Sequence, residues 1–366
     1  MRQTPVPCML MRGGTSKGAV LLASDLPADT ALRDRVLLAI MGSPDPRQID
    51  GVGGAEPLTS KVAIVSRSTQ PGTDVDYLFA QVLIDKAQVD VSPNCGNMLA
   101  AVGPFAIERG LVAARDPVTA VSIHMVNTGN LALAQVQTPG GQVRYDGATA
   151  IAGVPGTAAP IAIDFLDTAG SVCKSLLPTG RARDVATGIE VTCIDNGMPV
   201  VVIPAASLGK SGYESPAELD ADRDFKARLE ALRLEAGVLM GLGDVSARVV
   251  PKMTLISAPR DGGDVCTRTF IPHRCHAAIG VLGAVSVATA CALPGSIAAG
   301  IARVRQGSPL VLSVEHPSGE FTVTLELSGS SVADFSVGRS GILRTARVLM
   351  DGKVMVPSAL WKGAGA

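Results

Sequence analysis

The chain has 366 residues, of which 47% are hydrophobic, 18% charged and 3% aromatic, and its formal net charge is −1. A nearly neutral chain offers no electrostatic reason to bind nucleic acid or an anionic membrane, and so few aromatic side chains argue against base stacking. The apolar fraction is sufficient for one large globular domain or two domains of ordinary size.

In chain order, most segments have the composition of short strands bounded by Gly, Pro, Asp or Ser. Strands are predicted at 18–24, 60–68, 75–84, 121–127, 131–137, 188–195, 199–204, 254–259, 308–317, 320–327 and 342–350. Helices are predicted at 32–41, from Cys95 to Gly110, at 220–240 and at 277–293. The last, with 17 residues, is too short to span a bilayer and is expected to be buried within the fold. A mostly antiparallel sheet with few helices predicts the α+β class.

An internal repeat divides the chain near its midpoint. A shift of 180 residues places Cys95 over Cys275, and a shift of 182 places residues 16–26 over residues 198–208. Both shifts are close to half of the 366 residues. We therefore predict two domains, 1–182 and 183–366, whose terminal strands can cross between them. Each would fold a sheet around one central helix that begins just after a cysteine.

The cysteines indicate a reducing compartment and no metal site. The chain has seven, an odd number without a CxxC pair, and its N-terminus lacks an apolar signal segment, so reduced thiols in the cytoplasm are expected. His273, Cys275 and His276 lie close in sequence, but no second cluster completes a set of metal ligands.

Cys95 stands in the stretch "NCGN", between Asn94 and Gly96, at the start of a predicted helix. A helix N-terminus stabilises thiolate and binds carboxylates, so Cys95 could exchange a proton at carbon or attack as a nucleophile. Asn94, Gly96 and Asn97 would supply hydrogen-bond donors and close backbone approach for an anion. The alternative is a buried structural cysteine.

Three further stretches could bind a carboxylate or move a proton. "MRGGTSKGAV" lacks the order of a phosphate loop, and it is either a carboxylate-binding turn or a tight hairpin. "DGVGGAEPLTSK" leads to Lys61, which is either a solvated strand end or, if enclosed, a base with a lowered pKa. In "RTFIPHRCHAAIG", Arg274 and His276 could bind an anion or donate a proton.

Together with "QIDGVGG", "LTSKVAIV" and "FIPHRCHAAIGVLGAVSVATAC", these motifs resemble the PrpF-type isomerases, which share the diaminopimelate epimerase fold. The resemblance covers residues 7 to about 352. It implies two pseudo-symmetric domains, each a barrel-like, mostly antiparallel sheet around a central helix. It also implies cofactor-free proton transfer on unsaturated tricarboxylates, with Lys61 and Cys95 as the catalytic pair. Cys275 stands where the diaminopimelate epimerases have a second catalytic cysteine.

The function that this resemblance implies is keto–enol tautomerisation of 4-oxalomesaconate, a step of gallate breakdown. The residues expected to bind the substrate are Arg12, Gly14, Thr15, Ser16, Asn94, Gly96, Asn97, Arg274, Cys275 and His276. Four alternatives are open: 1,3-allylic isomerisation of the same acid, cis–trans isomerisation of 2-methylaconitate, non-catalytic tricarboxylate binding, and amino-acid racemisation by two thiols. The expected partner is a small tricarboxylate, without metal, cofactor, nucleic acid or membrane, and homodimer formation is left open.

Overall fold

The computed structural model describes residues 3–91, 94–166 and 168–363. The strands in this part of the chain are β1 (Gln3–Gly13), β2 (Ser16–Leu22), β3 (Lys61–Arg67), β4 (Val75–Val82), β5 (Val89–Asp90), β6 (Val118–Met125), β7 (Asn130–Gln137), β8 (Ile161–Leu166), β9 (Asp184–Ala186), β10 (Ile189–Asp195), β11 (Pro199–Pro204), β12 (Lys252–Ser257), β13 (Val265–Phe270), β14 (Leu310–His316), β15 (Gly319–Ser328), β16 (Ser336–Arg344) and β17 (Ala346–Pro357). The α-helices are α1 (Thr30–Met41), α2 (Gly96–Glu108), α3 (Pro216–Ala221), α4 (Arg223–Leu239) and α5 (Val281–Ala292). Short 3₁₀ helices lie at Ala23–Asp25, Pro139–Gly141, Ala205–Leu208 and Ala298–Gly300.

Two compact units make up the chain: unit 1 contains residues 1–164 and 343–366, and unit 2 contains residues 165–342. In unit 1, β1 pairs antiparallel with β2, β2 pairs parallel with β3, and β3 pairs antiparallel with β4. The sheet continues with β4 paired parallel to β6 and β6 paired antiparallel to β7. The C-terminal strand β17 belongs to this unit because it pairs antiparallel with β1 along its whole length.

The sheet of unit 1 has a helix on each face. Helix α2 contacts β1, β2, β3, β4, β7 and β17, so the sheet curves around it. Nine of its residues, 98–106, are buried, as expected of a helix with an apolar sequence on every side. Helix α1 covers the opposite face, where Val36, Leu37 and Ile40 pack in one cluster with Ala19 and Val62.

Unit 2 has the same order of strand pairings. β10 pairs antiparallel with β11, β11 parallel with β12, β12 antiparallel with β13, β13 parallel with β14, and β14 antiparallel with β15. Helix α5 packs against β10, β11, β14 and β15, and α4 packs against β9 and β12. The protein is thus a mixed α and β fold with a large core that is mostly sheet.

The predicted strands are present, although one predicted segment is divided, and five strands were not predicted: β1, β5, β8, β9 and β13. The segment 342–350 is divided at Thr345 between β16 and β17. Strand β1 was not predicted because Pro5 and Pro7 cannot donate backbone hydrogen bonds. They are tolerated because residues 3–8 pair with β17 alone, whereas β2 joins β1 only from Met9 onward.

Two helix predictions need correction. The helix predicted at 220–240 is two helices, because Asp222 has an extended backbone and its side chain accepts a hydrogen bond from the Phe225 amide to cap α4. The helix predicted at 277–293 begins only at Val281, so the prediction that it follows directly on Cys275 is wrong. Nowhere in residues 3–91, 94–166 and 168–363 is a helix both long and apolar enough to cross a bilayer.

Asn196, directly after β10, joins three elements of unit 2 by hydrogen bonds. Its Nδ2 donates to Thr289 Oγ1 in α5 (2.8 Å) and to Ser340 Oγ in β16 (2.9 Å), and its Oδ1 accepts from Thr168 Oγ1 (2.6 Å). The Asn196 side chain is completely buried. Because a buried polar group without a partner is destabilising, this amide fixes the position of α5 relative to the sheet.

We predict that Asn196→Ala lowers the free energy of unfolding by about 3 kcal/mol, since three buried hydroxyls lose a partner together. Urea denaturation followed by circular dichroism measures the change. Asn130→Ala, at the half-buried start of β7, is the control and should be close to neutral. Equal stability of the two variants would contradict a structural role of the Asn196 amide.

Candidate active site

Lys61 is the first residue of β3 and is held in place by two neighbours on β4. Its Nζ donates to Gln81 Oε1 (2.8 Å) and lies 5.0 Å from the centre of the Phe79 ring. The residue is only 8% exposed. Gln81 is itself fixed, because its Nε2 donates to the carbonyl oxygens of Pro57 and Ser60. The hydrogen bond to Gln81 uses one of the nitrogen's donors, so the others can meet a ligand.

Cys95 occupies the N-cap position of α2, with φ −132° and ψ 99°. Its carbonyl accepts hydrogen bonds from the Leu99 amide (3.0 Å) and from the Tyr77 hydroxyl (3.2 Å), while its side chain makes no capping bond. Burial, and then the neighbouring Cys95, raises the pKa of Tyr77 well above its ordinary value, so the phenol stays neutral. The half-buried thiol therefore stands at the positive end of the helix.

Lys61 and Cys95 are brought to the same face of the unit 1 sheet. Tyr77, Phe79 and Gln81 alternate along β4 and so share one face, the first beside Cys95 and the other two beside Lys61. These three residues were not among the predicted site residues, although their period of two in "YLFAQ" was a usable signal. The structure thus places the two predicted catalytic residues along one row of side chains.

The loop "GGTS" between β1 and β2 lies directly on the N-terminus of α2. A side chain at Gly13 would overlap the carbonyl oxygen of Asn97 and come within 3.2 Å of the Met98 Cα, so only glycine allows this approach. Gly14 has φ +52°, a turn conformation that also favours glycine. Asn97 Nδ2 donates to Thr15 Oγ1 (3.0 Å), which joins loop and helix.

Three buried polar atoms around this helix end have no hydrogen-bond partner in the described part of the chain. They are Ser16 Oγ, Asn94 Oδ1 and Asn97 Oδ1. Ser16 is 1% exposed, and the Asn94 amide nitrogen donates to Thr128 Oγ1. Buried polar atoms are almost always paired, so these three indicate room for a polar ligand or water beside Gly96, the first residue of α2.

Arg12, near the end of β1, faces the opposite side of the sheet from the loop residues that contact α2. Its Nη1 donates to the carbonyl oxygens of Gly14 (2.9 Å) and Thr345 (3.1 Å) and to Thr345 Oγ1 (3.0 Å). Because side chains alternate along β1, Arg12 faces away from α2, whereas Gly13 faces it. The structure does not bring Arg12 together with Lys61.

Cys275 lies in the outer core of unit 2, against the layer of α3 and α4. Its amide donates to Asp220 Oδ1 of α3 (2.8 Å), and the residue is 8% exposed. Burial, followed by the charge of Asp220, raises the pKa of the Cys275 thiol to about 12. The N-cap of α5 is Gly280, so glycine and not Cys275 occupies the position that corresponds to Cys95. The N-terminus of α5 therefore does not stabilise a thiolate at Cys275.

The neighbours of Cys275 have ordinary structural contacts. Arg274 is exposed, and its carbonyl accepts from the Ile271 amide. The His276 amide donates to the Thr269 carbonyl (2.8 Å), and its Nδ1 accepts from the Ala278 amide (2.8 Å). The Nδ1 of this histidine is thus engaged in the turn that leads to α5.

Comparison with known proteins agrees with the sequence motifs. Residues 3–357 match the family model described as PrpF protein. The chain is 62% identical over 350 residues to the (4E)-oxalomesaconate Delta-isomerase of Novosphingobium sp. strain KA1, covering 96% of this chain and 97% of that protein. It is 60% identical over 363 residues to the 4-oxalomesaconate tautomerase of Pseudomonas putida, covering 99% of both. The crystal structure of a methylitaconate-delta-isomerase superposes with a TM-score of 0.85 at 37% identity, covering 98% of this chain and 97% of that one.

We predict that iodoacetamide at pH 8 alkylates Cys95 at least about 100-fold faster than Cys275, because only thiolate reacts and burial keeps Cys275 protonated. Peptide mass spectrometry gives both rates. Cys173 is the control for exposure, since it is half-buried like Cys95 but its pKa is raised to about 12 by burial and by Asp195. Faster labelling of Cys275 than of Cys95 would contradict the conclusion that Cys275 is the more buried and less reactive thiol.

Gly18 separates Lys61 from α2, and we expect Gly18→Ala to cost about 2 kcal/mol of stability and to displace Lys61. The new Cβ would overlap the Lys61 carbonyl oxygen and lie 3.0 Å from the Met98 Cε. Gly352→Ala in β17 is the matched control, because nothing lies within 4 Å of its Cβ position. Thermal unfolding of both variants measures the difference in stability. Unchanged stability of Gly18→Ala would show that β2 does not pack tightly against Lys61 and Met98.

Proposed function

The chain belongs to the PrpF family, and on this premise we propose that it is a cofactor-independent keto–enol tautomerase of 4-oxalomesaconate in gallate breakdown. The observation that carries the proposal is the identity of 60–62%, over 96–99% of this chain, to two proteins named for isomerisation of that acid. The placement of Lys61 and Cys95 on one face of the sheet of unit 1 supports it.

The reaction starts from the methylene group next to the ketone, whose protons are acidic because the resulting anion is conjugated. A base removes one proton, and protonation of the dienolate on oxygen gives the enol. Lys61 and Cys95 form the proton-exchange pair, one facing the methylene and the other the dienolate. A proton-transferring group of this kind typically contributes about 10²–10⁴-fold to the rate.

The N-terminus of α2 would hold the substrate's carboxylates and spread the charge of the dienolate. Its unpaired amides and positive dipole favour an anion. Thr15, Ser16, Asn94 and Asn97 add polar side chains around the same helix end, and Gly14 and Gly96 keep the backbone accessible. The predictions of Arg274 and His276 as ligands rest on the sequence alone.

A two-thiol racemase is less well supported than this pair. Such an enzyme needs a second thiol that ionises near neutral pH, whereas the Cys275 thiol is buried and has a pKa of about 12. Non-catalytic binding of a tricarboxylate would leave Lys61 without a chemical role.

A second candidate reaction is 1,3-allylic isomerisation of the same acid, in which the C=C bond moves. It is favoured by the name of the 62% identical relative, a Delta-isomerase. Both reactions begin with the same deprotonation and differ in the atom that the proton reaches afterwards. Cis–trans isomerisation of 2-methylaconitate also requires that first step, on a different acid.

We further propose that the chain has two pseudo-symmetric diaminopimelate-epimerase-like domains. They were predicted as 1–182 and 183–366, and they correspond to the compact units 1–164 with 343–366 and 165–342, so that the last strand crosses to the first domain. The shared order of strand pairings in 3–137 and 189–328 supports this. The proposal also places the enzyme in the cytoplasm, with a small tricarboxylate as its partner and no nucleic acid or membrane. Homodimer formation stays open.

We predict that Lys61→Ala and Cys95→Ser each lower kcat by roughly 10²–10⁴-fold without lowering the thermal midpoint substantially. An ultraviolet assay of 4-oxalomesaconate conversion, corrected for the spontaneous reaction, measures the effect. Lys353→Ala and Cys173→Ser are controls that remove the same groups elsewhere and should keep full activity. Full activity of the Lys61 and Cys95 variants would overturn the catalytic pair.

The reaction in D₂O, followed by NMR, separates the two candidate reactions. A tautomerase yields the enol, in which the deuteron from solvent is on oxygen, and its reverse reaction introduces deuterium only at the carbon next to the ketone. An allylic isomerase leaves deuterium on the far vinylic carbon, which becomes a methylene. Wild-type protein that accelerates neither process would overturn the function while leaving the family membership intact.

A further inference from the structure

Three cationic side chains lie in a row across adjacent strands of unit 1. Arg12 of β1 is directly opposite Lys17 of β2 on one side and Arg347 of β17 on the other. Leu10, two residues before Arg12, pairs with Ala19, which packs in the cluster of α1. The row therefore lies on the face of the sheet away from α2.

This arrangement is electrostatically unfavourable unless an anion is present. Like charges directly opposite each other destabilise a pair of strands. The pKa of Arg12 is lowered by its burial and by the neighbouring charge of Arg347. Neither arginine has an ion-pair partner among the described residues.

A cavity of about 320 Å³ lies beside the two arginines. Its wall is the segment after β7, which is folded back by the bridge between Thr149 and Ala158 and by a hydrogen bond from the Ala159 amide to the Tyr145 carbonyl. The polar side chains that line it, apart from one carboxylate, are those of Arg12, Tyr145, Thr149, Thr157, Thr345 and Arg347.

The one carboxylate in the lining does not neutralise the arginines. Asp146 forms an ion pair with Arg144 at 3.1 Å, and its side chain is 82% exposed. The cavity lining thus presents two guanidinium groups and several hydroxyls, and its one carboxylate is paired with Arg144. The charges of Glu108 and Asp351 act on Tyr145 from outside the lining. Guanidinium groups bind the planar or tetrahedral oxygens of carboxylates and phosphates by paired hydrogen bonds.

We propose that this cavity binds a small oxyanion, a carboxylate or phosphate group held between Arg12 and Arg347 with hydroxyls from the segment 145–157. Arg12 and Lys61 face opposite sides of the sheet, so the two arginines do not face the proposed catalytic pair. The wall segment does approach the loop between β1 and β2, because a Cβ at Gly153 would lie 3.1 Å from the Thr15 methyl group. Arg347 is exposed, so an anion can reach it from solvent. The threonine hydroxyls complete the shell of donors around the oxygens.

Protection of Arg347 from phenylglyoxal tests the site directly. Phosphate and citrate are compared with chloride at equal ionic strength, and labelling is read by peptide mass spectrometry. We expect phosphate or citrate to slow labelling of Arg347 by about tenfold at saturation, a typical effect of one charge-assisted contact. Exposed Arg228 on α4 is the internal control and should react at one rate throughout. Equal labelling of Arg347 in all three salts would overturn the proposal.

Matched variants of β17 provide the second measurement. Arg347→Gln should remove the part of the thermal stabilisation that phosphate or citrate gives through this site, whereas Lys353→Gln, an exposed cation on the same strand, should keep it. Arg347→Glu should raise the thermal midpoint without added anion, because it places a carboxylate opposite Arg12. Turnover of 4-oxalomesaconate by Arg347→Gln should stay at the wild-type level. Full anion-induced stabilisation of Arg347→Gln would overturn the site without affecting the proposed function.

Discussion

The arrangement of unit 1 depends on the close approach of two glycine-bearing strands to the N-terminus of α2. Gly13 and Gly18 lie where any side chain would collide with Asn97, Met98 or the backbone of Lys61. This contact positions the start of β3 against the start of the helix. Lys61 and Cys95 come from separate elements, 34 positions apart in the printed sequence, and this contact brings those elements together.

Strand alternation then divides four polar side chains at the ends of β1, β2 and β3 between two faces of the sheet. Ser16 and Lys61 face the central helix, and Arg12 and Lys17 face the other side. A single motif, "MRGGTSKG", therefore contributes to two places with different chemistry. One place is the face of the sheet that carries the mostly buried Lys61 amine and the helix end with the Cys95 thiol, and the other has arginines beside a cavity. The separation follows from the period of two in a strand.

The two cysteines aligned by the internal repeat illustrate how burial decides reactivity. Cys95 is half-buried at the end of a helix, whereas Cys275 packs against Phe270 in the outer core and is held near Asp220. Desolvation and a nearby negative charge both disfavour the thiolate of Cys275. The internal repeat indicated two related units, but the two cysteine thiols that it aligns have different surroundings.

The sequence by itself determined the family, the mostly-sheet architecture, the start of β3 at Lys61 and the start of α2 next to Cys95, because these depend on local composition and on long specific motifs. The proline-containing strand β1 escaped prediction, since its tolerance of Pro5 and Pro7 depends on which neighbours pair with it. Only the tertiary structure decided that Tyr77, Phe79 and Gln81 join the two candidate catalytic residues, that Arg12 faces away from them, and that α5 begins at Val281 rather than after Cys275. Each of these depends on contacts between segments far apart in the chain, which local sequence patterns do not encode.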